Sequence, residues 1–553
     1  MSRWKKVGTG LVGILCLGMI LLLYMYVETY GQNIPYLDEW TFSIPLAMEA
    51  ADGRFSYERI WGFMGSHRLV IANLITALSA QNFGWDIHNL LWLNALLAVL
   101  AWAFGMGIAY VHDKRLAVLM AFPSILLMLS VYQNATLLVS LYGVWFQMSA
   151  LVMLILLIFV VSEADIRPLL AILVLGVLLT FTVAAGLVIW PIIFLSMPFY
   201  GYRKWWQYAL TLVVGTLAVF LWMGGFNLTE WLASAETERT VIQLSYLTFV
   251  RSYLENIFAD MGTFNILKTA LMVLSALLVT LNTLLLGRDK GRRRKIAPWV
   301  GLIMFVVGAS LVKYMGRAYA NPPAWYITCA TLYWVGVVAI NSYTFLYLYN
   351  QPTRSLSSVV YMWCIVLCQV GVVGLSLFTQ ISHLTMMQSV QGNLTFQRDD
   401  YSYIEQCALD YLFEREYNCQ TGYSWGGTYT YLMDGLAVRG LAVYGDIERQ
   451  QVLPNYNGEP IVIDVESYNF SLVIHRFLLA DIPEDNLILI HDDVLDGQTE
   501  SDFAIELADE ADTVWYIRNQ RTASLEAALL GEYRSAEQLT VNNLIVQKLS
   551  RLP

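Results

Sequence analysis

Residues 87–110 read IHNLLWLNALLAVLAWAFGMGIAY, with no Asp, Glu, Lys or Arg among them. As a helix rising 1.5 Å per residue, the stretch extends about 36 Å, enough to cross a hydrocarbon core about 30 Å thick. Runs of the same kind lie on both sides of it. They fall at roughly 7–29, 116–133, 144–161, 168–184, 186–200, 208–225, 264–286, 298–315, 326–348 and 357–380, which predicts eleven spans. The first run follows Arg3, Lys5 and Lys6 as a signal peptide does. It is too long for one and lacks a small-residue cleavage site, so it reads as a retained helix. The expected fold class is an α-helical polytopic membrane domain over 1–380, followed by a soluble α/β domain over 381–553.

Charge divides the chain at the same place. Residues 1–380 carry 23 Lys+Arg against 16 Asp+Glu, and residues 381–553 carry 10 against 27. The acidic tail argues against nucleic acid as a partner, because phosphate binding needs a basic surface. Orientation follows from the basic residues. With the N-terminus inside, the short inner segments hold Arg3, Lys5, Lys6, Lys114, Arg115, Arg167, Arg203, Lys204 and Arg354. They also hold the run Arg288, Lys290, Arg292, Arg293, Arg294 and Lys295. An odd number of spans then puts the tail outside the cytoplasm.

Two outer loops are long, 28–68 and 226–263. In the first, Trp40–Ala51 and Tyr57–Met64 read as helices lying in the membrane interface, followed by a half-buried helix over 69–82. The second carries Trp231, Arg239, Arg251, Glu255 and Asp260. In the tail, Ile461–Val465, Asn486–His491 and Thr513–Arg518 read as short buried strands. Tyr468–Leu479 and Asp502–Ala511 read as amphipathic helices between them, an alternation that predicts a partly parallel sheet. No glycine-rich phosphate loop follows these strands. Cys16, Cys329, Cys364 and Cys368 lie in apolar runs. Cys407 and Cys419 are open to disulfide formation in an extracytoplasmic tail.

Three short stretches could carry chemistry. Pro35-Tyr36-Leu37-Asp38-Glu39-Trp40 puts two carboxylates at a membrane surface, where desolvation is costly. Asp38 could cap the helix that follows, act as a carboxylate base, or do both. Gly65-Ser66-His67-Arg68 could bind a lipid phosphate, or anchor a loop at the headgroups. Lys313 and Arg317 form a basic pair at the outer end of the ninth span, again open to snorkelling or phosphate binding. Gln133 and Asn134, with Gln147 beyond the next turn, could line a sugar pocket among Tyr132, Trp145 and Phe146. Interfacial anchoring accounts for those aromatics equally well. Trp190-Pro191 reads as a helix kink. The histidines His88, His112, His383, His475 and His491 show no metal-ligand spacing.

These elements, in this order, resemble the GT-C class of membrane glycosyltransferases, to which protein O-mannosyltransferases and lipid A aminoarabinose transferases belong. The resemblance rests on Asp38-Glu39 after the first span, His67-Arg68 before the next membrane helix, Gly316-Arg317 then Trp325-Tyr326 leading into a later span, and a soluble tail. Bacterial relatives often read Glu-His-Arg at 66–68 and Arg-Tyr at 325–326, where this chain has Ser66 and Trp325. The resemblance implies inverting transfer of a sugar from a polyprenyl-phosphate carrier to a hydroxyl on a cell-envelope glycan, lipid or protein. Asp38 or Glu39 would be the base. His67, Arg68, Arg317 and Lys313 would hold the donor phosphate, and Gln133, Asn134, Gln147 and Tyr326 would line the substrate pocket. Asp38, His67 and Arg317 are expected around one cavity. Some members of the class use a divalent metal and others do not, and no ligand set stands out here. A transporter or flippase of lipid-linked sugars, or a non-catalytic scaffold, would share the spans and membrane-lipid contacts.

Overall fold

The computed structural model describes residues 3–31, 33, 35, 38–64, 67–225, 245–316, 324–353, 355–392, 459–464, 487–490, 504–505, 507–509, 511–518, 523–541 and 544–552. Arg317, Tyr468–Leu479, Cys407 and Cys419 lie outside the described residues. The chain divides into two compact units. One comprises Met1–Gln32, Ser56–Ile75 and Ile87–Asn393, the other Asn33–Phe55, Thr76–Asp86 and Leu394–Pro553. The last long helix continues past 380, to Gly392. Parts of the first outer loop group with the tail.

The first unit is helical. Among the described residues, nine helices are long and apolar enough to cross a membrane, which makes this a multi-pass membrane protein. They are Val7–Tyr30, Ile87–His112, Lys114–Leu137, Leu141–Val161, Trp205–Met223, Gly262–Leu286, Lys290–Met315, Ile327–Tyr349 and Leu356–Met387. The runs expected at 168–184 and 186–200 form shorter apolar segments, Ile166–Thr180 and Ala184–Tyr200. Three helices recur below: α1 (Lys290–Gly316), α2 (Ile327–Tyr349) and α3 (Asn265–Leu286).

Side-chain contacts give the bundle two ends. Trp145, which begins the Val144–Val161 helix, meets Lys313 near the end of α1. Phe159, near the end of that helix, stacks on Tyr200, and Arg294 at the start of α1 covers the same ring. The two helices therefore run antiparallel over a common depth. Segment 181–200 traverses it as well, since Phe181 lies against Trp61 at one end and Tyr200 sits at the other. Within that segment a short helix, Ile189–Ser196, is flanked by 3-10 turns, as expected for a run containing Pro191 and Pro198.

Helix α2 is the centre of the bundle, with 83% of its span window buried. Its polar side chains face neighbouring helices. Asn282 of α3 donates to Asn341 Oδ1 at 2.8 Å, and Tyr361 donates to Asn282 Oδ1 at 2.7 Å. Such amide pairs hold helices together where lipid tails provide no hydrophobic drive.

In the second unit the helix Glu39–Ala51 begins where the sequence places it. The tail strands do too: β1 (Ile461–Asp464), β2 (Leu487–Ile490) and β3 (Thr513–Arg518). Parallel pairing of β1 with both β2 and β3 matches the expected partly parallel sheet. Two further strands, β4 (Tyr533–Val541) and β5 (Leu544–Arg551), form an antiparallel hairpin. The sheet order is β2-β1-β3-β5-β4. Val514, Tyr516, Leu529 and Leu549 pack in its core.

Candidate functional site

The strongest constellation in the first unit centres on Lys313, one turn from the end of α1. The amphipathic helix Tyr246–Glu255 turns Phe249 and Tyr253 inward and leaves Leu247 exposed. Tyr253 closes one side of the lysine. Trp145 closes a second, and Tyr326, in the turn that opens α2, closes a third. The Lys313 ammonium lies 4.3 Å from the Trp145 ring centroid, 4.3 Å from Tyr326 and 4.6 Å from Tyr253. It donates to the Tyr253 hydroxyl at 2.7 Å. The side chain is buried, and no carboxylate pairs with it among the described residues. A desolvated cation over aromatic faces gains about 2 kcal/mol or more per contact, and the nearby carbonyl end of α1 adds a favourable dipole. The Cys329 side chain is a second hydrogen-bond partner of the ammonium.

His67 joins the same cluster. Its backbone exchanges two hydrogen bonds with Met64, at 2.8 and 3.0 Å, as an isolated antiparallel bridge. The imidazole lies edge-on to Trp145, with centroids 6.3 Å apart. Trp325 and Tyr142 extend the aromatic wall, their rings tilted at 30° with centroids 4.9 Å apart beside Tyr326.

Arg68 points elsewhere. It is 2% exposed. Its Nε donates to the Trp222 carbonyl at 3.1 Å and its Nη1 to the Trp61 carbonyl at 2.7 Å, while Nη2 donates to Gly224. Those carbonyls end the helices Tyr57–Trp61 and Trp205–Met223, whose last C=O groups have no partner within the helix. The guanidinium thus bridges two negative dipole ends and rests on the Phe63 ring at 4.1 Å. Burial lowers its pKa from the usual guanidinium value. Three of its five N–H donors are taken by backbone carbonyls, a structural role for Arg68 beside the phosphate role expected from the sequence.

Gln133 is likewise held by backbone carbonyls. It is 1% exposed, and its amide donates to the carbonyls of Leu127 and Met128, both at 3.1 Å. It caps the end of the Lys114–Met128 helix. Asn134 opens the next short helix and is half-buried. Gln147 is buried two residues beyond Trp145.

The acidic pair lies in the second unit. Asp38 precedes the helix Glu39–Ala51 but makes no side-chain cap, and its carbonyl accepts from Phe42 N at 3.1 Å. The capping role expected of Asp38 is therefore not seen. Glu39 is fully buried, whereas Asp38 is half-exposed.

The structure therefore brings together Lys313, Tyr326 and His67, with Trp145 and Tyr253. Tyr253 was missed in the sequence, although Tyr246, Phe249 and Tyr253 form a readable stripe along one helix face. Among the described residues no three His, Cys, Asp or Glu side chains gather to hold a metal ion. Neither a known family model nor a curated protein matches the chain.

Proposed function

We propose that the protein is an inverting glycosyltransferase that moves a sugar from a polyprenyl-phosphate carrier to a hydroxyl acceptor outside the cytoplasm. The observation that carries this reading is Lys313: a buried cation, walled by sugar-compatible aromatics, with no carboxylate among the described residues to neutralise it. A phosphate monoester or diester supplies that missing charge, and the leaving polyprenyl phosphate needs positive charge rather than a general acid. Lys313 and His67 take the phosphate role, and Tyr326 and Trp145 the sugar-facing role. Asp38 and Glu39 remain the carboxylates proposed as base, on the sequence argument.

Eleven crossings form part of the same proposal. Segments 166–180 and 184–200 alternate in direction with the nine long helices, and 181–200 has the same reach as its neighbours. Fifteen basic residues in the short segments then favour an inside N-terminus and an outside tail.

The test is transfer of label from synthetic polyprenyl-phosphate sugars in membranes. Wild type should transfer, Asp38→Asn or Glu39→Gln should abolish transfer, and Lys313→Met should weaken donor binding. Full transfer by both carboxylate variants would remove the acid–base argument. Movement of the lipid-linked sugar across the bilayer without transfer would make a flippase the better account.

A further inference from the structure

The other end of the first unit carries a feature that glycosyl transfer does not use. A groove of about 230 Å³ runs between the Ile189–Ser196 helix, α1 and the end of α3. Its walls are almost wholly apolar, with Ile192, Phe199, Ile296, Val300 and Met304 among them. It opens on the bundle surface, since Phe199 and Met304 are exposed there. From Arg293 to Met304 it follows about 16 Å of helix axis. That shape suits one hydrocarbon chain.

Arg293 stands at the head of the groove. Its neighbours in the basic run are engaged: Arg292 with Asp289 and the Tyr347 ring, Arg294 with Tyr200, and Lys295 with Tyr343. Among the described residues the Arg293 side chain engages only through Nε, which donates to the Gly287 carbonyl at 2.9 Å. That bond fixes the fork beside the groove and leaves both terminal nitrogens available to a ligand. An arginine fork matches a phosphate diester bidentately, and the surrounding Arg288–Lys295 run adds long-range attraction for negative charge.

We propose that this groove holds one acyl chain of an anionic glycerophospholipid, with the lipid phosphate on the Arg293 guanidinium. The occupant is a resident lipid rather than the sugar donor. The experiment uses the full chain, delipidated in detergent and exposed to equal amounts of phosphatidylglycerol and phosphatidylcholine with identical acyl chains. Retained lipid is counted by native mass spectrometry. Both lipids carry a phosphate diester, but in phosphatidylcholine the choline ammonium offsets it beside Arg293 and the surrounding basic run, so wild type should retain phosphatidylglycerol by about tenfold more. Arg293→Gln should bring the two lipids near parity without removing acyl-chain binding, and Ala297→Phe should reduce both by filling the groove. Equal retention by wild type would overturn the proposal, as would an undiminished preference in Arg293→Gln. Displacement of phosphatidylglycerol by equimolar polyprenyl phosphate would overturn it too, assigning the groove to the carrier.

Discussion

Arg68 and Lys313 are buried cations with no carboxylate partner among the described residues, and they reach neutral surroundings by different routes. Arg68 donates to three backbone carbonyls, so its loss leaves acceptors unsatisfied at two helix ends. Each such buried carbonyl costs about 1–3 kcal/mol. Arg68→Ala should therefore lower the thermal unfolding temperature in detergent, and Arg68→Lys should recover only part of the loss, because an ammonium cannot span the three acceptors. Wild-type stability with weakened donor binding would instead make Arg68 a ligand. Lys313 has the opposite signature. Lys313→Met preserves the stem and most of the packing, so binding of the phosphate donor should fall more than stability does. Unchanged donor binding in Lys313→Met would remove the observation on which the proposed function rests. The sequence showed both cations but not this division of labour. Two of the three residues that receive Arg68, Trp222 and Gly224, lie over 150 positions away, a pairing that no local pattern encodes.

At the scale of elements, the packing of α1 on α2 depends on one small residue. A Cβ at Gly336 would sit 2.7 Å from Ile303 Cγ1 and 3.2 Å from the Trp299 carbonyl. Gly336→Val should cost roughly 1–3 kcal/mol by overpacking, read as a lower unfolding temperature. An unchanged temperature would mean that the two helices part without penalty. The long spans were legible because length and apolarity are properties of a single segment. Segment 184–200 was legible as apolar and as kinked at Trp190-Pro191, but the 3-10 turns on either side of Ile189–Ser196 were not located. The β4–β5 hairpin went unread because Tyr533–Val541 mixes charged and apolar residues without a clean alternation. The signal was present in its connection: Val541 pairs with Leu544, so only Asn542-Asn543 separates the strands.

For the whole molecule, the distribution of basic residues predicts an inside N-terminus and an outside tail. Single cysteines placed in a cysteine-free background test this with an impermeant reagent. A cysteine at Lys290 should label only after the membrane is opened, and one at Arg534 should label in sealed cells. The reverse pattern would invert the topology and place the Lys313 cluster on the cytoplasmic side. The candidate site was partly legible at this scale. Lys313, Tyr326 and His67 were each marked by proximity to a span end, and the bundle gathers them. Gln133 was marked for the same reason and proved to be a helix cap, because polarity at a span end is required by both roles.

The Arg68 clamp has a consequence for biosynthesis. Trp61 and Arg68 leave the ribosome together, but Trp222 and Gly224 follow 154 and 156 residues after Arg68. Throughout that interval the guanidinium has at most one of its three native acceptors. The 56–68 loop must wait, hydrated, for the Trp205–Met223 helix to enter the membrane. Nascent chains halted near residue 204 should therefore be cut by an added protease around Arg59 and Arg68 on the outer side. Chains extended past residue 225 should resist. The late helix acts as a latch on a loop made long before it, so defects in inserting that helix should surface as degradation near the N-terminus.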